Sequence, residues 1–490
     1  MGTLVLTTSL LLGTSMEGKP LLDFGSDGGP EASEGDPDHG AFGLPGFLRD
    51  EDPAIDPEVF EKSEVILPER YLLKSVAWNA PDYSGQDGFL GWKPDLFKVP
   101  PGLADRVAFW KEIYSKYTTD QGVLHDSEEL TIVYEPLDFT PIMKDTKLSL
   151  RGKARARTKL VKTRRDEVSK RLERLSKIKT EKDVRDEADR RMLARFTKTA
   201  VPQLFVKDRQ KELRKLREDL KQASRKKRIR FQLGQKDKFI LGIYYSGRHI
   251  RTMERIFRDE KLPVELTRLP FVESSFNTEA RSRVGASGIW QFMPRTAKPW
   301  MMVNRDVDER NDPITATHAA VKLMRANYDR LGEWPLALTA YNHGAAGIAR
   351  AVRKTGSRDI ATIIDKYSSR RFGFASSNFY ACFLAALEVE REAKKLLGDV
   401  KWSSIFEATE IKLTKSIPWR VVVLMFGDED LAELQNPHVN RRVRNAKTGS
   451  KGKDIPPKTF IRIPPERAEL VRDFLAGKIE EKDLKSKLGE

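Results

Sequence analysis

The chain has little of what a disulfide framework or a metal centre needs. Its one cysteine, Cys382, excludes an intramolecular disulfide. Cys382 lies in an apolar helical run, 380–387, with nothing nearby to lower its pKa, and reads as a buried core thiol rather than a nucleophile. The six histidines (His39, His125, His249, His318, His343 and His438) are scattered. No pair has the short spacing of a metal site and no CxxC is present, so neither a metal nor another cofactor is expected. No run is long and apolar enough to span a bilayer. Residues 4–13 resemble the apolar part of an export signal but lack a preceding positive region, an Ala-x-Ala site and a lipid-accepting cysteine. A degenerate or truncated signal is the expectation. Membrane association stays open.

Charge, by contrast, is abundant. Lys and Arg total 88 against 72 Asp and Glu, giving a net charge of +16 over 490 residues. Such a chain suits polyanions (nucleic acid, anionic lipid, an acidic wall polymer), or else it carries well-solvated helix faces. Much of the surplus falls in 151–230, where glycine is absent after Gly152 and aromatics for base stacking are sparse. That scarcity argues against a single-strand nucleic-acid platform, and no nucleic-acid partner is expected.

Length predicts two to four domains. Residues 1–53 read as a leader and Gly/Pro/acid-rich linker. An accessory segment follows at 54–150, rich in aromatics that include Trp78, Trp92 and Trp110, with a helix at 105–117 and a short strand at 130–134. Residues 151–230 read as basic amphipathic helices folded back near Val201-Pro202. Residues 231–399 show helical spacing without a strand pattern and read as an α domain. Residues 400–490 are mixed: 421–424 fits a strand or a buried helix, and 460–464 fits a strand. The fold class expected is mainly α, with a small α+β region at the carboxyl end.

The chemistry concentrates in three motifs. Glu273 ends the apolar stretch Leu269-Pro270-Phe271-Val272, an environment that raises a carboxyl's pKa and lets it hold a proton near neutral pH. Gly285 and Gly288 flank a turn that lets backbone approach a bulky ligand, and Gln291 offers an amide beyond them. Tyr341 and Asn342 add a hydroxyl and an amide, although Tyr341 fits a core aromatic as well. Glycoside cleavage ordinarily uses two carboxylates. The nearest partners, Asp306, Asp308, Glu309 and Asp312, sit in a polar stretch that reads better as helix caps and solvated acids. One carboxyl could act twice, as acid and then base, if the nucleophile belongs to the substrate.

Glu273-Ser274-Ser275-Phe276-Asn277, Ser282, Gly285-Ala286-Ser287-Gly288, Gln291-Phe292-Met293-Pro294 and Ala340-Tyr341-Asn342-His343-Gly344 together resemble the catalytic domain of the soluble lytic transglycosylase (SLT) family, over about 236–397. The resemblance implies a lysozyme-like α fold and cleavage of the MurNAc-β-1,4-GlcNAc bond of peptidoglycan glycan strands in the bacterial envelope, most naturally the periplasm. It makes Glu273 the catalytic acid/base and the muramyl C6 hydroxyl the nucleophile, giving 1,6-anhydro ends. It places Ser282 in support of the carboxyl, Gln291 and Met293 along the sugar subsites, and Tyr341 and Asn342 around the pocket. The family's Asn-Tyr-Val near the last helix reads Asn378-Phe379-Tyr380 here, so the expected hydroxyl is absent or moved to Tyr380. Relatives often carry LysM modules, and the βααβ order expected over 411–464 has a loose LysM-like likeness. Cell-wall synthesis or division proteins are further expected partners. A lysozyme-type hydrolase and an inert wall-binding scaffold remain as alternatives.

Overall fold

The protein is mainly α. A computed structural model describes residues 77–78, 96–403, 407–445 and 454–488. The export-like segment, the 1–53 linker and Trp92 lie outside these.

Helix α1 (Ala104–Ser115) covers most of the stretch expected at 105–117, burying Val107, Trp110, Ile113 and Tyr114, and ends before Tyr117. It is followed by β2 (Gln121–Asp126) and β3 (Val133–Asp138), β1 being the short strand Ala77–Trp78. The strand expected at 130–134 is therefore displaced: Leu130 and Ile132 are buried ahead of it, and the ladder starts at Val133. Basic helices α2 (Leu150–Leu175), α3 (Glu187–Ala194) and α4 (Gln210–Ala223) come next. The expected turn at Val201-Pro202 is a single helical turn, Val201–Leu204, within a longer connection between α2 and α4. α2 starts where Ser149 accepts from the Gly152 N–H, and it buries Val161, Val168, Leu172 and Leu175. α4 turns Leu213, Leu216 and Leu220 inward. At about 1.5–3 kcal/mol per fully buried leucine, these stripes hold two otherwise highly charged helices against the sheet.

Strand β4 (Ile229–Leu233) was not foreseen. It pairs antiparallel with β2, giving the order β3-β2-β4. The expected boundary at 230/231 thus falls inside a strand. Ile229, Phe231 and Leu233 alternate with Arg230 and Gln232, but all five are buried. Arg230 lies with its guanidinium carbon 4.2 Å from the Phe374 ring centroid, so its charge covers an aromatic face instead of reaching solvent.

The α region follows: α5 (Lys236–Ser246), α6 (Ile250–Asp259), a 3₁₀ turn Val264–Arg268 that runs into α7 (Leu269–Glu273), then α8 (Pro313–Leu331), α9 (Trp334–His343), α10 (Ala345–Thr355), α11 (Ile360–Lys366), α12 (Phe374–Arg391) and α13 (Ala393–Leu397). Asp312 caps α8 through the Thr315 N–H, and Gly332 ends it in the left-handed conformation. α12 runs through the core with Phe379, Ala381, Cys382, Phe383 and Ala386 fully enclosed. α1 packs along α12, so part of the accessory segment belongs to the α core.

At the carboxyl end β5 (Trp402–Ser403) pairs with β1. β6 (Thr409–Lys412) pairs antiparallel with β7 (Phe460–Ile463), and between them lie α14 (Trp419–Phe426), α15 (Glu429–Gln435) and the short α16 (Arg441–Arg444). The ambiguous 421–424 run is helical. α17 (Ala468–Leu475) and α18 (Glu481–Leu488) complete this module, whose core is separate from the other two.

Candidate active site

Glu273 is the last residue of α7, and the chain turns sharply after it. Ser275 and Phe276 both have left-handed backbone, φ 50° and 56°. Two consecutive non-glycine residues of this kind store of order 1–3 kcal/mol each. Packing holds the turn: Phe276 sits edge-on to Phe271 at 4.8 Å, and its N–H donates to the Pro270 carbonyl. The Ser274 hydroxyl donates to the Ile289 carbonyl at 2.9 Å, tying this turn to the glycine-rich loop.

Glu273 is 4% exposed, and neither of its buried carboxyl oxygens has a hydrogen-bond partner among the described residues. Burial alone raises its pKa well above the ordinary carboxylate range, with no neighbouring charge contributing. A group in this setting holds its proton to higher pH than a solvated glutamate does.

The loop expected to face a ligand is built by Gly288. A Cβ there would lie 1.8 Å from the Arg310 carbonyl oxygen, and its φ is 77°. Ser282 opens the loop, its hydroxyl accepting from the Ala286 N–H at 2.9 Å. Gln291 is buried with φ 48°, and its amide nitrogen donates to the carbonyls of Ala280 and Gly288. That amide holds the loop's own shape. Met293 is half-buried at the start of the next helical turn. Tyr341 is fully buried, donates to the Trp290 carbonyl at 2.9 Å, and lies within electrostatic reach of Glu273. Asn342 accepts from Ser376, whose hydroxyl also meets His343 Nδ1 at 3.1 Å. The Asn342 amide nitrogen is buried without a partner among the described residues. Burial and the nearby Arg350 and Arg371 lower the His343 pKa to about 4, so its imidazole is neutral near pH 7.

Tyr380 is buried and stacks on Phe383, and its hydroxyl is shifted upward by burial alone. A second hydroxyl within electrostatic reach of Glu273, besides that of Tyr341, belongs to Tyr114 of α1. Tyr114 is 1% exposed, shares a hydrogen bond with the Cys382 thiol, and is raised well above its ordinary pKa by burial, then by Cys382 and Glu273. Its ring packs 5.2 Å from Phe239, which stacks at 4.7 Å on Phe271 of α7. The sequence marks Tyr114 only as one apolar-face residue of a helix.

The alternative acids are engaged elsewhere. Asp308 pairs with Arg310 at 2.7 Å, Asp306 with Arg442 at 3.4 Å, and Asp312 with Arg462. Glu309 accepts from the Met302 N–H at 2.6 Å.

Residues 254–364 match the family model of the transglycosylase SLT domain. The chain carries an SLT domain. The match takes in Glu273, the glycine loop and Tyr341-Asn342, while α1 and α12 lie outside it. Over 222 residues the chain is 26% identical to membrane-bound lytic murein transglycosylase D of Escherichia coli (strain K12), covering 45% of this chain and 47% of that protein. It is also 40% identical over 85 residues to a transglycosylase of Enterobacteria phage PRD1, covering 17% of this chain and 30% of the phage protein. The chain therefore spans less than half the length of each of these relatives. The mainly α architecture around the SLT motifs agrees with the lysozyme-like fold expected for them. No helix among the described residues is long and apolar enough to cross a membrane.

Proposed function

We propose that the protein is a peptidoglycan lytic transglycosylase of the cell envelope, acting in the periplasm. Glu273 donates its proton to O4 of the departing GlcNAc as the C1–O4 bond breaks. The muramyl C6 oxygen then bonds to C1, and its proton returns to the carboxylate, so no water is consumed and a 1,6-anhydroMurNAc end results. The observation that carries this reading is the Glu273 carboxyl, enclosed without a charged neighbour and placed at a strained turn beside the glycine loop. A second carboxylate would be expected for ordinary hydrolysis. The acids at 306, 308 and 312 are already in ion pairs or caps.

Ser282 and Gln291 shape the loop against which a sugar ring rests, Met293 and Asn342 line it, and Tyr341 closes it from below. Tyr380 stiffens α12 in this scheme. The α2–α4 surface adds attraction for the anionic stem peptides of the wall. At the end of α2 and the connection after it lies a cavity of about 600 Å³, lined by Lys170, Arg174, Lys177, Lys182 and Arg185 together with Glu173, Asp183 and Ile178. The carboxyl-terminal module, with its paired β6 and β7 enclosing helices, would bind glycan in a LysM-like manner.

The test is digestion of purified sacculi followed by mass spectrometry. Anhydro ends from the wild type, and none from Glu273→Gln at unchanged sacculus binding, are the expected result. Reducing ends would mean a hydrolase, and no release at all would mean a binding scaffold.

A further inference from the structure

Arg462 lies on β7, far along the chain from the glycine loop, yet a continuous set of polar contacts joins them. Its guanidinium forms a two-pronged pair with the Asp312 carboxylate, one prong being Nη2 to Oδ1 at 3.0 Å. The aspartate is 0% exposed and also caps α8, accepting from the Thr315 N–H at 2.8 Å. One residue before it, Asn311 accepts from the Ser287 hydroxyl at 2.6 Å. One residue earlier still, Arg310 donates to the Gly285 carbonyl at 2.6 Å and the Phe292 carbonyl at 2.9 Å, the two ends of the loop. The same segment is stitched to the module at its other end. The Asp308 N–H donates to the His438 carbonyl at 2.8 Å, Val307 bridges Val439, and the Asn440 amide reaches the Asn304 and Arg305 carbonyls, each at 3.2 Å.

We propose that the carboxyl-terminal module is a structural wall of the active site, and that Arg462 is a positioning residue which, through Asp312, holds segment 303–312 and thereby the Gly285–Gln291 loop in its binding shape. This rests on the reading that the loop receives the sugar. The geometry has the features that coupling needs: a bidentate, nearly buried ion pair at one end, a loop with little secondary structure of its own at the other, and short bonds between. Gly288 makes the dependence acute, because its close approach to the Arg310 carbonyl leaves no slack between loop and segment. In this role the module is not a mobile tether for the enzyme, whatever else it binds.

Hydrogen exchange on the full chain tests the idea without needing activity. The amides of Ser287, Gly288 and Gln291 bond to Phe292, Ala280 and Gly288 carbonyls and report the loop directly. In Arg462→Ala these amides should exchange about tenfold faster, with α9 and α12 unchanged. Arg462→Lys, which keeps the charge, should return part of the protection. Asn440→Ala removes the side-chain bonds of the other stitch without touching the ion pair, leaving its backbone bonds, and should loosen the loop in the same direction though less than Arg462→Ala. kcat/KM on sacculi should fall in step with loop protection. Loop exchange unchanged in Arg462→Ala and Asn440→Ala, or a lysine variant as loose as alanine, overturns the proposal. A wild type that releases no anhydro ends would sink the assigned reaction while leaving the exchange result to stand or fall alone.

Discussion

At Glu273, enclosure does the chemical tuning. Because burial raises the native pKa, the acid form persists to higher pH than for a solvated glutamate, and activity should be lost as the pH rises through that native value. A pH–rate profile whose alkaline limb falls at the ordinary carboxylate pKa would contradict this. Tyr114 is the second residue to watch. In Tyr114→Phe the ring still packs on Phe239, but a hydroxyl within electrostatic reach of Glu273 is gone. We expect the alkaline limb to move to higher pH and kcat to drop by about fivefold, the equivalent of one hydrogen bond of about 1 kcal/mol, with the melting temperature nearly unchanged. Glu273 was legible in the sequence because the apolar residues that bury it immediately precede it. Tyr114 was not, because its nearness to Glu273 depends on how α1 lies along α12. Gln291 stood out as a polar group, but only coordinates reveal that its amide nitrogen holds the loop's own carbonyls.

Among the elements, α7 is too short to hold itself in place. Its footing is Arg268, the residue before it, which is 0% exposed and bonded to Glu390 of α12 at 2.9 Å and to Glu254 of α6. Arg268→Met would leave two buried carboxylates without their cation. We expect a loss of about 3–5 kcal/mol in urea unfolding, well beyond that of an exposed arginine replaced in the same way. The helices of the α region were legible because their apolar residues recur with a 3.6-residue period and caps such as Asp312 and Gly332 mark their ends. Strands β2 and β4 were harder. β2 is buried at five of its six positions and shows no clear alternation, while β4 alternates over only five residues astride the border expected at 230/231, and their pairing spans about a hundred residues. The run at 421–424 was ambiguous for the same reason: an apolar stretch of four has no readable period.

For the whole molecule, the junction between the α region and the carboxyl-terminal module predicts an acid response. Although burial opposes its ionisation, Arg462 and His438 pull the Asp312 pKa below its ordinary 3.8. A carboxylate with a depressed native pKa contributes stability fully above that ordinary value, and the contribution is lost as the pH falls through the native one. Below about pH 4, then, the wild type should lose stability faster than Arg462→Ala, whose aspartate lacks that stabilisation. Thermal melts of the two proteins across pH 2–7 check this, and parallel curves would refute it. Composition suggests an order of segments, but not the way they share walls. Charge density set 151–230 apart, whereas the strand that joins it to the α region alternates quietly across the expected border.

Strand β2 has one consequence for anyone handling the protein. Val123 belongs to the core of the α region and its neighbour Leu124 to the core of the basic helices, so one ribbon of backbone serves as a party wall between two rooms. Neither room can be demolished alone. A fragment trimmed to 254–364 would leave behind α1, β2 and α12 and bare the apolar flank of α7, and it should precipitate on expression where the longer chain stays in solution.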